Sequence, residues 1–95
     1  MAEPTALLTA ARSRNHAARC DALQELAGRF ADHQDTLPAL CRATNSSCPG
    51  VRHLALTAII SAFADHVETP GHLGRAAADP DPVIRRSALA YLTSN

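Results

Sequence analysis

The stretch FADHQDT, residues 30–36, returns as FADHVET at residues 63–69. Shifting the chain by the same 33 residues aligns 15–44 with 48–77, and eleven of the thirty aligned positions are identical. A third copy begins at Asp81. Self-similarity at a fixed period of this length is typical of tandem structural repeats. The sequence therefore predicts one domain, residues 1–95, made of three repeats at about 3–33, 36–66 and 69–95.

Proline and small polar residues divide each repeat into a short and a long segment. Thr69 followed by Pro70 is typical of an N-cap with proline at the first helical position, and DPDP at 79–82 ends one helix and opens the next. Twenty alanines, two Phe, one Tyr and no Trp favour an all-α fold packed through small side chains. The predicted short helices are 4–12, 36–44 and 69–78, and the long ones are 16–31, 49–64 and 82–93.

The segment DPDPVIRRSALAYL, residues 79–92, resembles the turn and second helix of a HEAT repeat, particularly the bacterial HEAT-like repeats of phycobilisome lyase relatives. The matching positions in the three copies are Asp79, Asp81, Pro82, Ile84, Arg85, Ala88 and Leu92; Pro49, Val51, Arg52, Ala55 and Ile59; and Ala18, Arg19, Ala22 and Leu26. The earlier copies depart from the pattern, because Ser46 and Ser13 stand where the third has Asp79. The resemblance implies an all-α solenoid of three helical hairpins, about six helices in total.

Helical geometry assigns a core face to the long helices, because residues four apart drift slowly around a helix. Phe30 and Phe63 would continue this face as packing residues. The predicted core positions are Ala18, Ala22, Leu26 and Phe30; Val51, Ala55, Ile59 and Phe63; and Ile84, Ala88 and Leu92.

Three arginines, Arg19, Arg52 and Arg85, fall inside the same arc, where a guanidinium must be hydrogen-bonded to be tolerated. We expect them to brace the loops. Asp79 and Asp81 are the predicted partners of Arg85, with backbone carbonyls serving the other two. The alternative is an arginine ladder that binds an anionic ligand.

The outward arc of the long helices is the predicted partner-binding face, since the resemblance implies that these helices line the concave surface. Small side chains there predict a shallow groove suited to an amphipathic helix or an extended peptide. The predicted contact residues are Asp21, Gln24, His53, Leu54, Thr57, Ile60 and Arg86. The function predicted from them is binding of a partner protein or peptide. Alternatively, Leu54 and Ile60 pack on neighbouring helices.

Asp32 with His33 and Asp65 with His66 form a repeated pair where the long helices end. Histidine with carboxylates suits Fe, Mn or Zn, so the alternative function is a metal-binding or ligand-shaping enzyme that uses this edge. HEAT-like deoxyhypusine hydroxylase builds its di-iron site from His-Glu pairs, whereas the order here is Asp-His. Stacked repeats also lie about 10 Å apart. We therefore expect no bound metal and no cofactor, with each histidine stabilising a helix end.

Catalysis is not expected, because the sequence has no glycine-rich phosphate loop, no nucleophile elbow and no Cys-His motif. Cys20, Cys41 and Cys48 form no C-x-x-C unit and are predicted to be reduced structural thiols. An acidic residue near the start argues against a signal peptide, and no apolar run approaches membrane-spanning length. A cytoplasmic location is expected, and the Ala-rich, all-Arg usage suggests a bacterial source.

Nine arginines balance nine acidic residues, so no basic field favours nucleic acid or a membrane surface as partner. Repeat arrays need capping units with a polar outer face. The last helix offers Leu89 and Tyr91 instead, which predicts a homodimer through this helix. The alternatives are that a partner protein covers it or that Tyr91 folds back toward Leu73.

Overall fold

The computed structural model describes residues 3–94, which form six α-helices in alternating short and long lengths. Residues 1, 2 and 95 of the predicted domain lie outside the described part. The all-α prediction is confirmed, and every predicted helix end is displaced by about two residues at most. The helices are α1 (Pro4–Ala10), α2 (His16–Arg29), α3 (Thr36–Ala43), α4 (Pro49–Ala62), α5 (Thr69–Ala76) and α6 (Pro82–Ser94).

Each short helix packs against the long helix that follows it, which makes three helical hairpins. The long helices α2, α4 and α6 contact one another in that order, so α4 lies at both junctions between repeats. The molecule is accordingly elongated, with extents of 38 × 26 × 15 Å. Within residues 3–94, no helix is long and apolar enough to cross a membrane.

The repeated FADH stretch closes each long helix and turns the chain into the next short one. Helices α2 and α4 end before the phenylalanines, and Phe30 and Phe63 are their C-caps. Thr36 donates its hydroxyl to the Phe30 carbonyl at 2.6 Å, and Thr69 donates to Phe63 at 2.5 Å. Both threonines are buried. The prediction of Thr69 as an N-cap is wrong, because its hydroxyl is committed to this turn and Glu68 is the N-cap.

The phenylalanines do pack against the core as predicted, although they lie just outside the helices. Two other predicted core positions are corrected: Ala18 is only half-buried, and Leu92, in the last turn of α6, is 42% exposed. Leu23 and Leu56, absent from the predicted arc, are almost completely buried. They lie next to Ala22 and Ala55, which shows that the apolar stripe is wider than four-residue spacing suggests.

Two of the three arginines, Arg52 and Arg85, brace the loops as predicted, but with different partners. Arg19 Nε is buried and has no hydrogen-bond partner within residues 3–94. Arg52 donates from Nε and Nη2 to the Asp79 carboxylate at 3.0 and 3.1 Å, and from Nη1 to the Ser46 carbonyl at 2.8 Å. Arg85 instead uses the carbonyls of Asp79 and Pro80, at 2.7 and 2.9 Å. Asp79, a predicted partner of Arg85, therefore binds Arg52 of the preceding repeat instead.

The hydrogen bond that Asp79 makes within its loop is also made by the serines at the equivalent positions of the two earlier repeats. The Asp79 carboxylate accepts from the backbone N–H of Asp81 at 2.8 Å. Ser46 Oγ accepts from Cys48 at 3.1 Å, and Ser13 Oγ accepts from Asn15 at 3.0 Å. The three loops thus have the same internal hydrogen bond, and only Asp79 also reaches an arginine side chain.

Candidate functional site

The predicted groove exists as a shallow cavity of about 250 Å³ between α2 and α4. Small side chains dominate it because glycine, alanine and serine occupy the facing turns of both helices. Three of the predicted contact residues meet there, on neighbouring repeats. The cavity is lined by Gln24, Ala27, Gly28, Leu54, Thr57, Ala58, Ser61 and Ala62.

The other four predicted contact residues do not line this cavity. Asp21 and Arg86 are exposed on α2 and α6. His53 Nε2 lies 3.1 Å from Ser87 Oγ, which links α4 to α6. Ile60 is half-buried against the second apolar cluster, and Leu54 packs partly on the first while still lining the groove. Packing on neighbouring helices therefore accounts for Ile60, and for part of Leu54.

The repeated Asp-His pairs fold into their own turns. The Nδ1 atoms of His33 and His66 each accept the backbone N–H two residues ahead, from Asp35 and Glu68, at 3.1 Å. His66 also lies edge-on to Phe63, with 6.3 Å between ring centroids. Because one nitrogen of each ring is occupied by the turn, only Nε2 remains for a ligand. Absence of a bound metal here remains a prediction.

A different group brings three potential metal ligands together. Among residues 3–94, the group whose ligand atoms all lie within 4.8 Å of one another consists of Cys41, Glu68 and His72. Cys41 on α3 places Sγ 3.1 Å from Nε2 of His72 on α5, and Arg75 Nη2 lies 2.6 Å from Nδ1 of the same ring. The cluster spans two stacked short helices.

The arginine fixes the chemistry of this cluster. A guanidinium only donates, so Nδ1 of His72 must accept from Arg75, and Nε2 carries the proton that is donated to the Cys41 sulfur. Burial lowers the pKa of His72 and raises the pKa of the Cys41 thiol. Histidines that bind metal donate from the other ring nitrogen to an acceptor. The arrangement therefore favours a neutral hydrogen-bonded pair over a divalent-cation site.

Sequence reasoning missed both Cys-His contacts. Cys48 at the start of α4 lies 2.8 Å from Nε2 of His16 at the start of α2. The separations of 31 and 32 residues are close to the repeat period. Stacking of repeats brings together residues that are about one period apart in the sequence. A search for cysteine and histidine pairs separated by about one period would therefore have found both contacts.

Comparison with known proteins gives one match. The family model for HEAT repeats matches residues 4–93. No curated protein and no solved structure matches the chain.

Proposed function

Because the chain belongs to the HEAT repeat family, we propose that it acts as a small interaction module that binds a partner protein or peptide through its long-helix face. Proteins of this family commonly mediate protein–protein interaction. The groove between α2 and α4 is the centre of the proposed surface. The proposed surface also includes Asp21 on α2, His53 and the half-buried Ile60 on α4, and Arg86 on α6, none of which lines the groove.

The observation that carries the proposal is the composition of the groove. It is lined by alanine, glycine and serine, together with the half-buried Leu54 and the exposed polar side chains of Gln24 and Thr57. Small side chains let another backbone approach closely, and a mostly apolar groove with a few polar groups suits one face of an amphipathic helix. Asp21 and Arg86, on the outer helices, give the surface opposite charges at its two ends.

Two glycines provide a matched test. A Cβ built at Gly28, in the groove, or at Gly74, on α5, meets no atom within 4 Å. Glutamine at either site also favours the helix by about 0.5–1 kcal/mol over glycine. We expect immobilised parent protein and Gly74→Gln to capture the same partner from the native host, and Gly28→Gln to lose it. Equal capture by both variants would reject the groove.

We further propose that the repeats are of the phycobilisome lyase-related type and that the protein acts in the bacterial cytoplasm. The DPDPVIR segment at 79–85 supports the first point. The charge balance supports a protein partner over nucleic acid or a membrane surface. Fluorescence anisotropy with duplex DNA tests the exclusion, since salt-sensitive micromolar binding would contradict it.

A homodimer through α6 is also proposed. Leu89 is 48% exposed and Leu92 is 42% exposed on that helix, whereas Tyr91 packs against the cluster that contains Leu73. Tyr91 thus folds back toward Leu73, as the alternative prediction had it. The proposed dimer contact therefore consists of Leu89 and Leu92. Light scattering should detect a dimer that Leu89→Glu dissociates and Thr57→Glu leaves intact. A strict monomer at tens of micromolar would reject it.

A further inference from the structure

The two junctions between repeats contain equivalent cavities. The cavity at the first junction has nine lining residues, and adding 33 to each number gives a residue that lines the cavity at the second. The nine are Ala11, Arg12, Arg19, Ala39, Arg42, Ala43, Ser46, Ser47 and Val51. Their counterparts are Thr44, Asn45, Arg52, His72, Arg75, Ala76, Asp79, Pro80 and Ile84. Each of the nine residues around the first cavity can therefore be compared with its equivalent around the second.

The second cavity contains its own anion. Asp79 places both carboxylate oxygens on Arg52, and its side chain is only 11% exposed. This Arg52 contact holds the pKa of the Asp79 carboxyl below its ordinary value. The cavity that remains is about 210 Å³.

The first cavity contains the cations without the anion. It is lined by Arg12, Arg19 and Arg42 and by no acidic residue, and it measures about 370 Å³. Ser46 stands where the second junction has Asp79, and its hydroxyl is engaged with the backbone of Cys48. Arg19 Nε is buried and has no hydrogen-bond partner within the described residues. An unpaired buried donor on a charged group is costly, so a ligand that accepts from it gains affinity.

We propose that the cavity at the first junction binds a carboxylate group through Arg19, in the position that Asp79 takes at the second junction. The Arg52–Asp79 pair shows the fit, because Nε and Nη2 of one guanidinium face two oxygens in a planar fork. Arg12 replaces Asn45 and adds a positive charge that the second cavity lacks. The ligand is an acidic side chain of another polypeptide or a small free carboxylate.

This site is separate from the long-helix groove and does not rest on the proposed function. Its lining comes from α3 and the loops between paired helices, together with the first turns of α2 and α4. Asp35 lines the adjoining depression, which shares Arg12 and Arg42, but it does not line the cavity around Arg19.

Substituting the missing residue tests the site. The ¹⁵N–¹H signal of Arg19 Nε, assigned by its loss in Arg19→Gln, is followed while sodium acetate is added at constant ionic strength with chloride as the balancing ion. We expect a saturable shift in the parent protein and in Ser46→Asn. Ser46→Asp should abolish the shift, because its carboxylate occupies the site. Arg12→Gln should weaken binding about two- to five-fold.

A second titration, with a short acetylated and amidated peptide containing one Asp, distinguishes the sources. Tighter binding of the peptide than of acetate indicates a polypeptide ligand, and equal or weaker binding indicates a small carboxylate. No saturable shift with either probe overturns the proposal, as does an equal shift in Ser46→Asp. Thermal melting verifies that each variant is folded, and a Ser46→Asp protein that melts below Ser46→Asn would also count against the site.

Discussion

The first and second junctions between repeats share one backbone plan and differ in how their arginines are paired. At the second, Arg52 is held by the Asp79 carboxylate and the Ser46 carbonyl. At the first, Arg19 has Ser46 in the corresponding loop, and its Nε has no partner within the described residues. Both loops keep the same hydrogen bond to the backbone two residues ahead. A serine can thus preserve the turn while losing the contact between repeats.

This difference separates two hydrogen bonds that the aspartate of this loop can make: one within its own turn and one to the arginine of the preceding repeat. The turn bond requires any short side chain with an accepting oxygen. The bond between repeats requires a charged, forked acceptor that reaches the arginine of the preceding repeat. The second junction meets both requirements and keeps a smaller cavity whose arginine is paired with a carboxylate, whereas the first meets one and leaves a larger cationic cavity.

The apolar packing is expected to be similar at both junctions, and truncating it gives the largest effect. Leu26 and Ile59 are equivalent positions and are both fully buried. Each change to alanine should cost roughly 2–5 kcal/mol. Ile59→Ala should cost more, because α4 contacts both neighbouring long helices. Urea denaturation measures both, and a greater loss for Leu26→Ala would place the stability centre at the first junction.

Asp79→Ser should make the second junction resemble the first. It keeps the turn bond and removes the carboxylate partner of Arg52 while leaving the Ser46 carbonyl in place, so the melting temperature should fall by about 5 °C or more. Asp65→Ser is the matched control, because Asp65 is exposed in a loop. Differential scanning calorimetry of the two variants should separate them clearly, and equal melting temperatures would mean that the ion pair contributes nothing.

Lowering the pH should remove the stability that the Arg52–Asp79 pair gives to the second junction. The pKa of Asp79 is lower in the folded protein than in the unfolded chain, chiefly because Arg52 donates to it. Its contribution is therefore complete above the unfolded value near 3.9 and is lost as pH falls through the folded value. We expect the stability gap between parent and Asp79→Ser to narrow from about pH 5 downward. A constant gap would assign the effect to packing.

A milder pH effect should also belong to the second junction, since His72 lines its cavity where the first has Ala39. Burial, and then Arg75, lower the pKa of His72. The unfolded chain consequently takes up a proton near pH 6.5 that the folded protein resists, and stability falls as pH drops below that value. Melting temperatures at about pH 7.5 and pH 5 should differ less in His72→Gln than in the parent. An unchanged difference would exclude His72 as the cause.

The repeat period predicted most of the fold, because proline and the spacing of apolar residues set each helix. The sequence placed Thr69 at the N-cap of α5, whereas it is the first helical residue, because a threonine that closes a turn resembles one that caps a helix. It also placed Phe30 and Phe63 inside the long helices, whereas they are the C-caps. The groove at Gln24, Leu54 and Thr57 followed from helix-face geometry. The Asp79–Arg52 pair and the Cys41–His72 contact did not, because they depend on stacking between repeats rather than on spacing within one.

A double-mutant cycle between Ser46→Asp and Arg19→Gln tests the contrast between the junctions most directly. The free energy of unfolding is measured for the parent, both single variants and the double variant. We expect Ser46→Asp to stabilise the protein when Arg19 is present and to give no gain when residue 19 is glutamine. A gain of equal size in both backgrounds, or no gain in either, would contradict the conclusion that Arg19 lacks the carboxylate that Asp79 gives to Arg52.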